Sequence, residues 1–335
     1  MFAMGQDAEV IGAAFGATSP EAPTLGESIG MMLQNGIFGI GNGVWIIVAI
    51  VVSVIIMALG VSGGIEKACK IMIPLLFALF LIMAVYIATL PGAIDGYKFI
   101  FTLQPERLLD LKLWIYAFGQ AFFSLSVAGN GSVIYGSYLG KDVEISSSAR
   151  NVAIFDTLAA LVAMIVIISA MATTGSALDT NGPGLMFIAL PGVFNGMGGI
   201  GWVVGAFFFI AVLFAGTTSI INLYETPVAF MQEKLKLGRL PSVIIIHVIG
   251  LVVALLIQPW AAQWMDMVSI YICPFGAALA GIMFFWIMKK KTALDAVNQG
   301  ARKPVGGWFH PFGKFVYVPL CVVALVAGAL LGGIG

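Results

Sequence analysis

Eight stretches of this 335-residue chain are apolar for long enough, or nearly so, to cross a bilayer: 43–59, 67–90, 113–138, 150–172, 199–231, 241–258, 264–288 and 313–334. A hydrocarbon layer about 30 Å thick takes roughly 20 helical residues. Inside it every backbone N–H and C=O must find a partner within the protein, which restricts spanning structures to helices and closed barrels. Runs of this length are helical. With 60% hydrophobic and only 10% charged residues, the chain lacks the charge that a soluble domain of this size needs to cover its surface. The expected fold is an all-α polytopic membrane protein with about eight spans, the first of them short.

Between the fourth and fifth runs lies NGPGLMFIALPGVFNG, 181–196, apolar but too short to cross and flanked by Gly and Pro. It reads as a re-entrant or capping hairpin. The basic residues set the orientation. Thirteen of the sixteen fall in one set of loops: Lys67 and Lys70; Lys141 and Arg150; Lys234, Lys236 and Arg239; Lys289, Lys290, Lys291, Arg302, Lys303 and Lys314. Lys98, Arg107 and Lys112 share one loop of the opposite set. The first set is therefore placed in the cytoplasm, which turns both chain ends outward. Residues 1–42 carry only Asp7, Glu9, Glu21 and Glu27 as charges and lack the basic start and compact apolar core of a signal peptide. An outward N-terminus of that kind suggests that membrane helices normally precede it.

Net charge is zero, which gives no case for a nucleic-acid partner. Cys69, Cys273 and Cys321 are isolated in or beside apolar segments, as buried thiols are, and His247 stands alone in a span, more in keeping with a packed core residue than a proton relay. No nucleophile–base pair, metal-ligand spacing or phosphate loop supports an enzyme.

The third run carries an internal contradiction. Residues 122–132, FFSLSVAGNGS, put three serines, an asparagine and two glycines at the centre of an apolar segment. Glycine costs about 1 kcal/mol in a helix interior, and serine and asparagine offer the backbone competing bonds. Small residues can serve close helix packing, but this concentration favours a broken helix, which membrane proteins tolerate only where it is buried or lines a cavity. Half-helix ends then present N–H and C=O groups to substrates and ions. A second polar cluster, AGTTS at 215–219, lies in the middle of the fifth run. Thr218 and Ser219 point about 100° apart on a helix. Together with the Ala215 carbonyl they could coordinate a cation, or their hydroxyls could bond back to the preceding turn. Asp156, in ARNVAIFDTLAALV, is the third feature. A carboxylate within an apolar run costs roughly 2.5–3.5 kcal/mol on insertion scales and usually faces a polar pathway, which favours cation coordination or proton handling.

In this order the three features resemble the neurotransmitter:sodium symporter family. WIYAFGQAFFSLSVAGNGSVIYGSYL (114–139) is similar to the family's sixth transmembrane segment, and GVSGGIEKACKIMIPLLF (60–77) to the start of the fifth. GPGLMFIALPGVF (182–194) resembles its extracellular fourth-loop hairpin, LFAGTTSIINLYETPVAFMQEKL (213–235) its eighth helix, and MFFWIM (283–288) the end of the tenth. The resemblance runs from about residue 30 to the C-terminus. It implies a partial inverted-repeat (5+5) transporter fold of the bacterial eleven-helix type, with 43–335 as helices four to eleven and 1–42 as an extracellular loop remnant. The first three helices would then be lacking, and restoring them turns the N-terminus inward. Two readings stay open: a sodium-coupled symporter of an amino acid or related amine in the plasma membrane, or a truncated fragment that does not transport.

The resemblance also implies site residues. Phe123 and Ser126 would meet the substrate amino group and side chain, Gly129 would line the side-chain pocket, and Ser219 and Leu223 would lie on the substrate side of the eighth helix. Ser124 and Asp156 match the first sodium site; Ala215 (by its carbonyl), Thr218 and Ser219 match the second. Asp266 resembles the extracellular gate, and Tyr138 and Glu233 parts of the intracellular one. For Asp266 and Glu233 a solvated helix end is the competing reading. A fixed carboxylate at Asp156 implies that chloride is not required. The expected partners are sodium, the substrate and the lipid bilayer.

Overall fold

The computed structural model describes residues 43–127, 131–175, 178, 186, 190–257 and 261–331. Regular structure among them is entirely helical. Six helical stretches are long and apolar enough to cross a membrane: Val61–Ala88, Ile145–Thr173, Gly199–Lys234, Arg239–Ile257, Gln263–Ile287 and Phe309–Leu330. A shorter apolar helix, α1 (Gly43–Ala58), matches the first run, and a broken pair, α4 (Leu111–Ser124) and α5 (Gly131–Ser137), matches the third. In their described residues, all eight apolar runs are built of helices. Their outer surfaces stay greasy: Ile71, Val85, Leu213 and Phe230 are exposed, as helices solvated by lipid rather than water require.

The chain forms two compact units. The first contains 1–102 and 159–264, the second 103–158 and 265–335. Residues 1–42, expected as a loop remnant, lie outside the described residues.

In the first unit, α1 is followed by Gly60, whose φ of 88° is a conformation open chiefly to glycine. A wide turn at Val61–Ile65 then leads into α2 (Glu66–Ala88). The short α3 (Ala93–Phe101) is joined through Gly92, and its Gly96 sits against the backbone of Ser169 on α6 (Ile145–Thr173). The helix α8 (Gly201–Lys234) has 34 residues, about 51 Å at 1.5 Å per residue. That exceeds a bilayer's apolar thickness, so it tilts or projects beyond it. The core gathers Phe80, Met83 and Ile87 of α2, Val166 and Met171 of α6, and Phe208 of α8. Phe80 meets Phe208 edge-on with centroids 6.0 Å apart. Of the expected 181–196 hairpin, the described part is Met186 and, from Leu190, the short helix α7 (Leu190–Gly196). Leu190, Val193 and Phe194 are buried in the same core, and Gly201 lies under the Phe194 carbonyl with no room for a Cβ.

Against α8 packs α9 (Arg239–Ile257). His247 is buried: its Nδ1 lies 2.7 Å from the Val243 carbonyl and its Nε2 2.9 Å from the Ser53 hydroxyl on α1. A carbonyl can only accept, so Nδ1 carries the proton and Ser53 donates to Nε2. The ring is a satisfied core histidine, as the sequence suggested. Tyr224 stacks on it at 4.4 Å, and the Tyr224 hydroxyl occupies the space a Cβ on Gly250 would take. Gly250→Leu is therefore expected to cost about 1–3 kcal/mol through overpacking, seen as a lowered unfolding temperature in detergent. Gly250→Ala should show a smaller loss, because its side chain ends at the Cβ and displaces less of the Tyr224 ring.

The helix α10 (Ala261–Met267) begins in the first unit and ends in the second, where a wide turn at Val268–Ile272 leads to α11 (Cys273–Ile282). A connector helix α12 (Lys290–Val297) and the short α13 (Phe309–Phe312) precede α14 (Val318–Leu331). Small side chains bring α11 and α14 close: Cys273, Ala277 and Ala278 meet Cys321 and Ala324 around Phe122. All three cysteines are free; Cys273 and Cys321 are buried, as read from the sequence, whereas Cys69 is only half-buried.

Candidate functional site: a broken helix with a hydroxyl–carboxylate pair

The helix α4 ends at Ser124, within the stretch whose composition opposed a helix. Ser126 has φ of 52°, the left-handed region that β-carbon sterics make costly for any residue but glycine. The turn is bonded locally. Leu125 N–H donates to the Ala121 carbonyl at 3.1 Å, and Ser126 N–H to the Phe123 carbonyl at 3.0 Å. Beyond the break, the Ser132 hydroxyl reaches back to the Leu125 carbonyl at 2.8 Å. A serine from the second half-helix thus satisfies a carbonyl that the first half-helix no longer covers. Because Ser126 occupies a left-handed turn, Ser126→Val is expected to cost about 1–2 kcal/mol more than Ser126→Gly, measurable as a difference in thermal unfolding.

The break brings two expected ion ligands together. Ser124 Oγ donates to Asp156 Oδ1 at 2.6 Å, from α4 to α6 across 32 residues. Asp156 is half-buried and Ser124 exposed. A carboxylate within an apolar segment is held here by a short, charge-assisted hydrogen bond. The pair offers hydroxyl and carboxylate oxygens, the donors that hard cations take. Phe123, on the same last turn, is exposed at the break. Gly129, expected in the side-chain pocket, lies outside the described residues.

The second expected ion site belongs to the first unit. Ala215, Thr218 and Ser219 share one turn of α8. The Thr218 hydroxyl lies 3.0 Å from both the Phe214 and Ala215 carbonyls, and the Ser219 hydroxyl 2.9 Å from the Ala215 carbonyl. Two hydroxyls therefore donate to the Ala215 carbonyl, the backbone bonding that was one of the two readings of this cluster. Leu223, one turn further, is exposed.

Of the expected gate residues, Tyr138 is exposed and meets Tyr135 edge-on at 6.1 Å. Glu233 is exposed at the end of α8, 3.3 Å from Lys234 Nζ, in keeping with a solvated helix end. Asp266 lies on α10.

One ionic element escaped the sequence reading. Glu225 on α8, whose side chain is 0% exposed, holds Arg239 at the start of α9 through two parallel bonds of 2.9 Å. The Arg239 Nε donates to the Met57 carbonyl at the end of α1 at 2.9 Å. One guanidinium thus ties three helices, with the bidentate fork that arginine makes best. The available signal was a glutamate, in LYETPV, inside an apolar run.

The sequence profile of the sodium:neurotransmitter symporter family matches residues 25–331. An uncharacterised sodium-dependent transporter of Methanocaldococcus jannaschii is 28% identical over 295 residues, covering 84% of this chain and 59% of the relative. The Bacillus subtilis transporter YhdH, likewise uncharacterised and sodium-dependent by name, is 29% identical over 300 residues, covering 83% of this chain and 64% of YhdH. The chain thus spans about three fifths of the length of these relatives. Among solved structures, MhsT in complex with L-phenylalanine superposes with a TM-score of 0.73 at 26% identity, covering 95% of this chain and 78% of MhsT. On the family profile, the broken helix and the shared fold, this chain is a multi-pass membrane protein that belongs to the sodium:neurotransmitter symporter family.

Proposed function

We propose that the protein couples sodium entry to uptake of an amino acid or related small amine by alternating access, with Ser124 and Asp156 as ligands of one sodium ion and Ala215, Thr218 and Ser219 as ligands of another. The observation that carries this reading is the 2.6 Å hydroxyl–carboxylate pair at the end of a broken membrane helix. Support for the substrate class comes from MhsT, solved with L-phenylalanine. Phe123 and Ser126 present the break to the substrate, and Gly129, Ser219 and Leu223 complete its contacts. In this reading Asp266 belongs to the outer gate and Tyr138 and Glu233 to the inner one, and residues 43–335 form the transporter domain.

The chemistry follows from the oxygens. When sodium enters, the Ser124 oxygen offers a lone pair to the ion, and the Asp156 carboxylate sets its negative charge beside it. A bound cation next to the break then favours a substrate carboxylate there, so ion and substrate strengthen one another's binding reciprocally. The fixed charge of Asp156 supplies the anion that chloride would otherwise provide, which makes transport chloride-independent. Proteoliposomes loaded with potassium and diluted into sodium should accumulate at least one labelled amino acid above its external level. Accumulation that is the same with potassium or choline outside would overturn the reading.

A further inference from the structure

We propose that the connector Lys289–Lys314, between α11 and α14, is a binding surface for anionic phospholipid headgroups of the leaflet it faces. The segment holds Lys289, Lys290, Lys291, Arg302, Lys303 and Lys314 against a single acidic residue, Asp295, in a chain whose net charge is zero. Lys289, Lys290, Lys291, Arg302 and Lys303 are exposed, and among the described residues none of the six takes part in a salt bridge. Unpaired cations concentrated beside a membrane span attract anionic lipid.

The surface is built rather than merely charged. Asn298 clamps Val305 on both sides: its Oδ1 accepts the Val305 N–H at 2.6 Å, and its Nδ2 donates to the Val305 carbonyl at 3.2 Å. The clamp closes a loop that carries Arg302 and Lys303. Gly300, with φ of 67°, lies against the Val143 backbone where a Cβ would have no room. On α12, Ala293 is buried, while Lys290, Lys291, Leu294 and Asp295 line a shallow depression.

Aromatic side chains set the depth. Trp286 is 51% and Phe315 65% exposed, and Trp308 and Phe312 are exposed as well. Lys314 Nζ sits 4.4 Å from the Trp286 ring and 5.8 Å from that of Phe315. Such rings prefer the headgroup layer of a bilayer, which places the neighbouring cations at phosphate level. A soluble polyanion would satisfy the charges and leave the rings in water. The combination selects lipid.

The test is native mass spectrometry of the full chain released from mixed micelles of phosphatidylglycerol and phosphatidylcholine. The wild type should retain phosphatidylglycerol in preference. Neutralising Lys289, Lys290, Lys291, Arg302 and Lys303 to glutamine should lower that enrichment about tenfold or more. A control that neutralises Lys67, Lys98, Arg107, Lys112 and Lys236 should keep most of it. If the fivefold variant does not fold, Arg302→Gln with Lys303→Gln alone should show a partial loss. Equal retention of the two lipids by the wild type overturns the proposal, as does an unchanged preference in the variants. Displacement of the lipid by inorganic polyphosphate at matching phosphate concentration would assign the surface to a soluble anion instead and equally overturn it.

Discussion

Glu225→Ala is expected to destabilise the protein by about 3–5 kcal/mol, the range for removing one partner of a buried ion pair. The substitution leaves the Arg239 guanidinium, 20% exposed, without its bidentate acceptor and with only the Met57 carbonyl. Arg239→Ala should cost a comparable amount, since it removes the bidentate donor from a glutamate whose side chain is fully buried. The double variant Glu225→Leu, Arg239→Met separates the pair's two roles. Apolar replacement of both partners is often near neutral, so most of the unfolding temperature should return. If the pair serves only stability, transport returns with it. Should transport stay impaired while stability recovers, the fork that joins α1, α8 and α9 takes part in the conformational cycle. Single variants with unfolding temperatures equal to wild type would contradict the geometry from which the prediction starts.

Asp156→Asn is expected to weaken sodium binding by about a hundredfold or more. Two unit charges about 4 Å apart at an effective dielectric of about 20 attract by about 4 kcal/mol, and a hundredfold change takes only about 2.7 kcal/mol. Asparagine keeps an oxygen for Ser124 to meet but removes the charge, so the effect isolates electrostatics from shape. A second consequence follows from the proposal that Asp156 stands in for chloride. Wild-type activity should be indifferent to replacing chloride by gluconate, whereas residual activity of the asparagine variant should rise when chloride is supplied. Chloride dependence of the wild type would defeat the substitution argument while leaving the ion site itself untouched.

Which features could be read from the sequence follows from the range over which each acts. The membrane spans were legible because length and hydropathy settle them without reference to neighbours. The break was legible because Gly129, Asn130 and Gly131 beside three serines are local evidence against a helix. Its detailed form was not. Nothing in the local composition singles out Ser126 as the residue that takes a left-handed conformation. Asp156 was conspicuous as a charge in an apolar run, but its partner came only from resemblance, since nothing local connects residues 124 and 156. The Glu225–Arg239 fork was missed for a related reason: Arg239 follows Lys234 and Lys236 and looked like one more solvated loop charge. Its burial against Glu225 depends on how α8 and α9 pack, which no periodicity encodes. Ser53 and His247, 194 residues apart, show the same limit. At 215–219 both readings of the hydroxyls were open, and the structure has them bonded to the preceding turn.

In the proposed mechanism a cation held at the broken helix by Ser124 and Asp156 governs substrate binding. Equilibrium binding of a panel of labelled amino acids to the purified protein, in sodium and in potassium at equal ionic strength, tests it most directly. At least one amino acid should bind in sodium and not in potassium, and Asp156→Ala should abolish the difference. Binding that is equally tight in both salts, or sodium dependence that survives Asp156→Ala, would contradict it.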